Sequence, residues 1–300
     1  MNYFILGGTG FIGSFLIRLL TDMGEQVTAL TRDESKVKIK SPNLSLVKGD
    51  PLKPGDWQKQ IAGSDTVINL VGSPIMTQWT EQAKKVILSS RLDSTANVVS
   101  AMQELEPRTF ICANAVGYYG PRKDEPVDER SAPGKDFLAQ VSLKWQDEAQ
   151  AAESSAHRVV IPRFAAVLGP GGGAMAQMLS VFRLGLGGKL GSGKQWFPWV
   201  HIFDLARALH FLSIKNEIKG PVNICSPQQI TNEQFTRAMS KVLHRPALFR
   251  VPGVALRLKY GEVGNVLLTG QRCVPKVLME SGFEFKFPEI ERALADIVAA

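Results

Sequence analysis

The residues that most constrain the fold of this chain lie at its very beginning. An apolar run ending at Leu6 is followed by Gly7-Gly8-Thr9-Gly10-Phe11-Ile12-Gly13, after which apolar residues return at helical spacing. Strand, glycine turn and helix in this order predict a βα unit whose turn binds a dinucleotide diphosphate. Glycines allow the tight turn and the close approach of the diphosphate, and the helix start offers free N–H groups. A strand-to-helix turn with glycines by chance is the alternative. The predicted cofactor turn comprises Gly7, Thr9, Gly10, Phe11, Ile12 and Gly13.

The end of the second predicted strand indicates which dinucleotide binds. After residues 26–30 the chain has Thr31-Arg32, where an acidic side chain would bind the ribose hydroxyls of NAD. A guanidinium suits a phosphate instead, so the sequence favours NADP over NAD. The alternative is that Arg32 is a solvated loop residue.

Strands and helices keep alternating beyond this point. Further strands are predicted over 44–47, 66–72, 109–113 and 158–161, with helices from Thr80 to about 105 and from about 136 to 154. This alternation predicts an α/β fold, a Rossmann-type doubly wound parallel sheet.

Three further residues are candidates for cofactor contact. Asp50 could accept a hydrogen bond from the adenine amino group or cap a turn, and Gly72 would let the backbone pass close to the cofactor. Arg91, inside the long helix, is either a surface charge or a phosphate contact.

The second half of the chain is richer in loops. The stretches 169–173 and 185–199 are rich in glycine, and such loops commonly build a substrate cleft. Asp204 is placed to cap a helix over 205–212. We predict a dinucleotide-binding domain over 1–228 with substrate-loop insertions, and a smaller, mostly helical C-terminal cap over 248–297.

Composition narrows the cellular setting. Hydrophobic residues make up 44% of the 300 residues, but no apolar run reaches the roughly 18 residues that cross a bilayer. Without a basic leader before the first strand, we expect a cytoplasmic protein with no membrane partner. Cys112, Cys225 and Cys273 are odd in number and far apart, so we expect buried free thiols and no metal site.

The formal net charge of +7 is unevenly distributed. No basic run or zinc pattern accompanies it, so we expect no nucleic-acid partner. The interval 154–203 has no Asp or Glu, which would favour an anionic ligand. Its cations are Arg158, Arg163, Arg183, Lys189 and Lys194.

Several motifs together resemble the extended short-chain dehydrogenase/reductases of the NAD-dependent epimerase/dehydratase family. The glycine turn, Asp50, Tyr119-Gly120 and the segment 199–205 carry this likeness. The segments 116–121, 182–188, 191–197 and 270–272 are similar to an atypical branch, the epimerase family of the human-U1-like or bacterial type, which has a C-terminal domain of unknown function.

The resemblance implies NADP binding but not a particular reaction. Besides the glycine turn, the implied cofactor contacts are Thr31, Arg32, Leu70, Val71, Arg91 and Val167. Catalytic relatives use a Tyr-x-x-x-Lys pair, whose positions fall on Leu138 and Ser142 here. Neither residue can take over its role in the pair, so the usual acid–base pair is missing.

Other residues could act in its place. Asn114 aligns with the usual Ser or Thr and could polarise a carbonyl through its amide. Tyr118 and Tyr119 are candidate acids, with structural packing as the alternative. The candidate substrate contacts are Arg163, Arg183, Trp199 and His201, for which an internal salt bridge, a surface charge and core packing are the alternatives.

These patterns lead to two hypotheses of function. The first is an NADP-dependent oxidoreductase or epimerase acting on a small, possibly anionic molecule. The second is a non-catalytic redox sensor or scaffold that responds to the bound nucleotide. No Ser-His-Asp arrangement or pair of close carboxylates suggests hydrolysis.

Overall fold

The centre of the fold is a parallel sheet with helices on both faces. The computed structural model describes residues 1–300. Its strands are β1 Asn2–Leu6, β2 Gln26–Thr31, β3 Leu44–Lys48, β4 Thr66–Asn69, β5 Thr109–Cys112, β6 Asn114–Ala115, β7 Pro126–Val127, β8 Arg158–Phe164, β9 Ala166–Leu168, β10 Gly188–Leu190, β11 Trp199–His201, β12 Gly220–Ile224, β13 Phe249–Val251 and β14 Arg272–Cys273. The main sheet has the order β12-β8-β5-β4-β1-β2-β3, with β6 also paired to β8. All its pairs are parallel, so the predicted Rossmann-type sheet is confirmed.

Ten α-helices cover the sheet and complete the C-terminal region. They are α1 Phe11–Asp22, α2 Glu81–Met102, α3 Phe137–Gln150, α4 Gly173–Arg183, α5 Ile202–Ile214, α6 Asn232–Leu243, α7 Gly253–Tyr260, α8 Val263–Leu268, α9 Lys276–Glu280 and α10 Ile290–Ala299. As predicted, the Thr80 side chain caps α2, accepting a hydrogen bond from the N–H of Ala83 at 3.1 Å. None of these helices combines the length and the hydrophobicity that a membrane span requires.

Two apolar cores lie on opposite faces of the sheet. Alternate side chains of a strand point to opposite faces, so Ile5 packs with α1 and α5, whereas Phe4 and Leu6 pack with α2 and α3. Burial of both faces explains why the strands are apolar runs rather than alternating patterns. Because all strands of the main sheet are parallel, their carboxyl ends meet at one edge, where ligands of such sheets bind.

The predicted role of Asp204 is wrong. Helix α5 begins at Ile202, and its cap is His201, whose Nδ1 accepts a hydrogen bond from the N–H of Phe203 at 3.2 Å. Asp204 is fully buried in the first turn and accepts hydrogen bonds from the N–H groups of Lys286 and Phe287, both at 2.8 Å. The carboxylate therefore anchors the C-terminal segment to α5.

The C-terminal region has its buried side chains in cores that it shares with the rest of the chain. Leu278 and Phe283 join the core under α1 and α5, and Ile290 and Leu294 of α10 pack in a third core with α4 and α6. This region is thus integrated with the preceding residues, and the boundaries at 228 and 248 stay a prediction.

Candidate cofactor and active site

The glycine turn has the geometry that its sequence predicts. Gly7 has φ +80°, and a Cβ there would lie 2.9 Å from the carbonyl carbon of Leu70. A Cβ on Gly13 would lie only 2.3 Å from the carbonyl oxygen of Gly7. The missing side chains thus let the first turn of α1 pack against β1 and let the Leu70-Val71 backbone border the turn.

The start of α1 is open to an anion. Gly10 is its N-cap and provides no side-chain acceptor, and Thr9 and Gly10 are exposed. The first N–H groups of a helix lack internal partners and carry the positive end of the helix dipole. With a glycine cap, these donors are left for a ligand such as a diphosphate.

We expect Gly13→Ala to lower the free energy of unfolding by about 1–3 kcal/mol, because the new methyl group collides with backbone that cannot retreat. Urea denaturation measures this loss. Gly63→Ala is the matched control, since a Cβ there meets nothing within 4 Å, and we expect it to change stability by less than about 0.5 kcal/mol. Equal stability of the two variants would contradict the close packing at Gly13.

A second glycine loop encloses Phe11, the first residue of α1. A Cβ would lie 3.0 Å from the Phe11 ring on Gly169, 2.2 Å on Gly172 and 3.0 Å on Gly173. The sequence predicts that this loop, residues 169–173, helps to build a substrate cleft. In the structure its glycines make room for an aromatic ring and hold the loop against the cofactor turn.

A polar cavity of about 520 Å³ lies where β2 and β3 end. Its lining is Arg32, Asp33, Glu34, Ser35 and Lys48. Strand register pairs Thr31 with Lys48, which brings a second cation beside Arg32. Ser35 hydrogen bonds lower the pKa of Asp33, and its carboxylate already accepts the Ser35 N–H and O–H at 3.1 and 2.6 Å. The sequence-based prediction of the cofactor site missed Lys48. Its position at the end of the strand that follows β2 was the signal that could have indicated it.

The remaining predicted cofactor residues have varied surroundings. Asp50 accepts a hydrogen bond from the N–H of Leu52 at 3.1 Å, which is the turn-capping alternative. Val167 is half-buried on β9, where its carbonyl oxygen lies near Gly173. Thr31 is buried and donates to the carbonyl of Asp33. Contact of these residues with a cofactor stays a prediction.

Arg91 and Gly72 form a contact that their positions in the sequence do not indicate. Arg91 donates to the carbonyls of Ser73 and Ile87, and its guanidinium lies 5.2 Å from the Trp145 ring centroid. A Cβ on Gly72 would lie 3.0 Å from that guanidinium. Gly72 therefore accommodates Arg91 in this structure, whereas we predicted that it accommodates the cofactor. Burial lowers the pKa of Arg91 to about 10.

Two of the catalytic candidates are engaged inside the protein. Asn114 is buried, and its amide donates to the carbonyl of Ser142 at 2.9 Å while its oxygen accepts the N–H of Ala115. The Tyr119 hydroxyl donates to Asn223 at 2.7 Å and accepts from Arg163 at 2.8 Å, and burial raises the pKa of Tyr119. These contacts oppose proton transfer by Tyr119.

Tyr118 differs from these two residues. Its side chain is 7% exposed, and the guanidinium of Arg163 lies 3.5 Å from its ring centroid. Its hydroxyl takes no part in the hydrogen bonds that hold the neighbouring Tyr119 hydroxyl. A cation over the ring face is a favourable contact that fixes the ring. Tyr118 is thus the candidate acid whose hydroxyl is still available.

The four candidate substrate residues do not come together. Arg163 is 1% exposed and donates to Tyr119 and Gln146, and buried Trp199 donates to the carbonyl of Gln228. His201 is buried under Phe287, with ring centroids 4.1 Å apart. Only Arg183, at the last turn of α4, is exposed. In this structure the first three are not open to a ligand, so their contact with a substrate stays a prediction.

The cations of the acid-free interval are also largely engaged. Arg158 donates to carbonyls at the end of α5, including those of Leu212 and Ser213, and Lys189 pairs with Glu233 at 3.1 Å. Together with buried Arg163, three of the five cations thus have structural partners. The interval is therefore weaker evidence for an anionic substrate than its sequence indicates.

Burial of His201 predicts a pH dependence of stability. Desolvation lowers the pKa of His201 below the usual 6.5, outweighing the opposite effect of Asp296, whose carboxylate lies 3.4 Å away. Below pH 6.5 the unfolded state consequently binds more protons than the native state, and the free energy of unfolding falls. We expect His201→Asn, which keeps a capping side chain, to flatten this fall in thermal melts. His244→Asn, at an exposed position, is the control, and an unchanged slope in His201→Asn would contradict the assignment.

All three cysteines are buried and free, as predicted.

The sheet order, the glycine turn and the uncapped start of α1 define a Rossmann-type nucleotide-binding protein. A model of the NAD dependent epimerase/dehydratase family matches residues 3–225, and one for a domain of unknown function (DUF1731) matches residues 251–297. The chain therefore belongs to the NAD-dependent epimerase/dehydratase family.

Individual relatives agree with this membership. The epimerase family protein SDR39U1 of Mus musculus is 38% identical over 306 residues, covering 100% of both chains. The crystal structure of human epimerase family protein SDR39U1 (isoform 2) with NADPH has a TM-score of 0.87 at 33% identity, covering 100% of this chain and 99% of that one. A UDP-glucuronic acid 4-epimerase from Bacillus cereus in complex with NAD has a TM-score of 0.79 at 17% identity, covering 100% and 96%, which shows the shared fold.

Proposed function

We propose that this protein binds NADP(H) and is an oxidoreductase or epimerase of its family acting on a small polar molecule. The observation that carries the proposal is the cavity with Arg32 and Lys48 at the ends of β2 and β3, on the sheet edge that also holds the uncapped start of α1. A diphosphate at the helix start and a ribose 2′-phosphate between two cations would use both features. The human relative with NADPH supports this choice, whereas the more distant NAD-bound relative shares the fold only.

Bound NADP(H) would supply or accept the hydride. The residues of this chain would then hold a carbonyl or alcohol near the nicotinamide and supply a proton. Tyr118 is the candidate whose hydroxyl is not engaged as that of Tyr119 is, and the Arg163 guanidinium over its ring would keep it in place. Leu138 and Ser142 occupy the positions of the missing Tyr-x-x-x-Lys pair, so this donor would work without a neighbouring lysine.

Calorimetric titration with NADPH and with NADH is the first test. We expect NADPH to bind more tightly, and failure of both nucleotides to bind would end the proposal.

A panel of small carbonyl compounds is then screened for oxidation of NADPH. Activity that is lost in Tyr118→Phe but retained in Asn114→Ala would identify the donor.

A sensor function is the second candidate, and the internal engagement of Asn114 and Tyr119 favours it. On this hypothesis the nucleotide stabilises one conformation that a partner recognises, and no turnover occurs. Steady NADPH oxidation that depends on Tyr118 would exclude a purely non-catalytic sensor. Partner binding that is unchanged by saturating NADPH would exclude the sensor as well.

A further inference from the structure

The largest exposed apolar side chains are concentrated on one part of the molecule. Thirteen large hydrophobic residues are exposed, and six of them belong to the segments 184–191 and 248–258. Leu248 is 89% exposed, Leu258 83% and Leu184 74%. We call the six residues the C-terminal apolar surface; they are Leu184, Leu186, Leu248, Phe249, Val254 and Leu258.

The fold places these segments side by side. Strands β10 and β13 pair in parallel, with Gly188 opposite Phe249 and Leu190 opposite Val251. Gly191 continues the contact by donating its N–H to the carbonyl of Val251 at 2.8 Å. Helix α7, which carries Val254 and Leu258, begins two residues after β13. The exposed residues therefore form one region and are not scattered.

The same region is basic. Residues 234–261 contain no Asp or Glu, and the segment 184–191 lies inside the other acid-free interval. The acids that flank the interval 234–261 form ion pairs: Glu233 with Lys189 at 3.1 Å and with Arg237 at 3.2 Å, and Glu262 with Lys84 at 2.9 Å. Six cations lie in the interval 234–261, of which Arg237 pairs with Glu233 and Lys241 with Glu291. The four that form no ion pair are Arg245, Arg250, Arg257 and Lys259.

We propose that the C-terminal apolar surface docks on an anionic phospholipid bilayer. Contiguous exposed apolar residues mark an interaction site, and the surrounding cations select a negatively charged partner. Leucine, valine and phenylalanine side chains on a basic surface suit the boundary between anionic headgroups and acyl chains. A second copy of the chain fits poorly, because two such basic surfaces repel each other. The expectation of no membrane partner rested on the lack of a spanning segment, and docking at a bilayer surface requires none.

Co-sedimentation of the full chain with lipid vesicles tests this proposal. We expect binding to phosphatidylcholine vesicles in which one lipid in three is phosphatidylglycerol, and no binding to pure phosphatidylcholine. Binding should weaken as salt is added, since the cations act through screened electrostatics. Equal binding to both vesicles, or none to either, overturns the proposal, and so does binding to an acidic amphipathic peptide in place of anionic vesicles.

Matched variants distinguish binding through the C-terminal apolar surface from a general effect of net charge or of exposed apolar residues elsewhere. We expect Leu258→Ser to reduce partitioning by about tenfold and Lys259→Glu by roughly 30-fold, because each removes a contact with the bilayer. The controls are Met279→Ser, which removes another exposed apolar residue, and Lys85→Glu, which changes net charge equally at an exposed position on α2. Circular dichroism melts establish that each variant is folded. If the controls lose as much partitioning as the surface variants, the proposal is wrong.

Discussion

The double variant Arg32→Ala/Lys48→Ala is expected to bind NADPH roughly 100-fold more weakly than the wild type, a loss of about 2.7 kcal/mol. NADH affinity should change by less than about threefold, because NADH has no 2′-phosphate to contact these cations. Calorimetric titration of both nucleotides measures the two changes. The reason for the difference is structural: both cations line the same cavity at the ends of β2 and β3.

The control for this variant is Lys38→Ala. Lys38 is an exposed cation close to the cavity in sequence but outside its lining, so it reports the effect of losing a nearby positive charge. We expect NADPH affinity within about twofold of the wild type. Equal losses of NADPH and NADH affinity in the double variant would show that the cavity does not receive the 2′-phosphate. That outcome would remove the preference for NADP but not nucleotide binding itself.

The local features of the cofactor turn could be read from the sequence. A left-handed backbone at Gly7 and the packing of Gly13 on the same turn depend on residues within one βα unit. Likewise, the Thr80 cap depends on the next turn of its own helix. Such features follow from short-range rules that do not require knowledge of the sheet order.

Features that depend on strand pairing could not be read in this way. Lys48 enters the phosphate cavity only because β3 lies beside β2 in register, and Phe11 meets Gly172 only through the path of a distant loop. Asp commonly begins helices, so the sequence predicts that Asp204 is a cap, but its carboxylate accepts hydrogen bonds from the backbone of residues 286–287, more than 80 positions away. The role of Asp204 therefore depends on a tertiary contact, which the residue type and its immediate neighbours do not reveal.

Arg163 shows the same limitation and gives the prediction with the largest expected effect on stability. An arginine at the end of a predicted strand suggests a ligand contact, but β8 lies between β6 and β12, which puts Arg163 between Asn114 and Asn223. We expect Arg163→Ala to lower the free energy of unfolding by about 3–5 kcal/mol, since it leaves a cavity and deprives Tyr119 and Gln146 of a buried donor. Urea denaturation without nucleotide measures the loss.

Arg183→Ala is the matched control, because it removes an exposed arginine from the last turn of α4 and should cost less than about 0.5 kcal/mol. Tyr119→Phe isolates one hydrogen-bonding hydroxyl of the cluster and should cost about 1–2 kcal/mol. If Arg163→Ala is as stable as Arg183→Ala, the buried contacts of Arg163 contribute little, and its side chain would be free to serve a ligand. A loss of the expected size instead means that the buried contacts of Arg163 stabilise the fold. Because its guanidinium lies 3.5 Å from the Tyr118 ring centroid, catalytic effects of its substitution must be measured on protein shown to be folded.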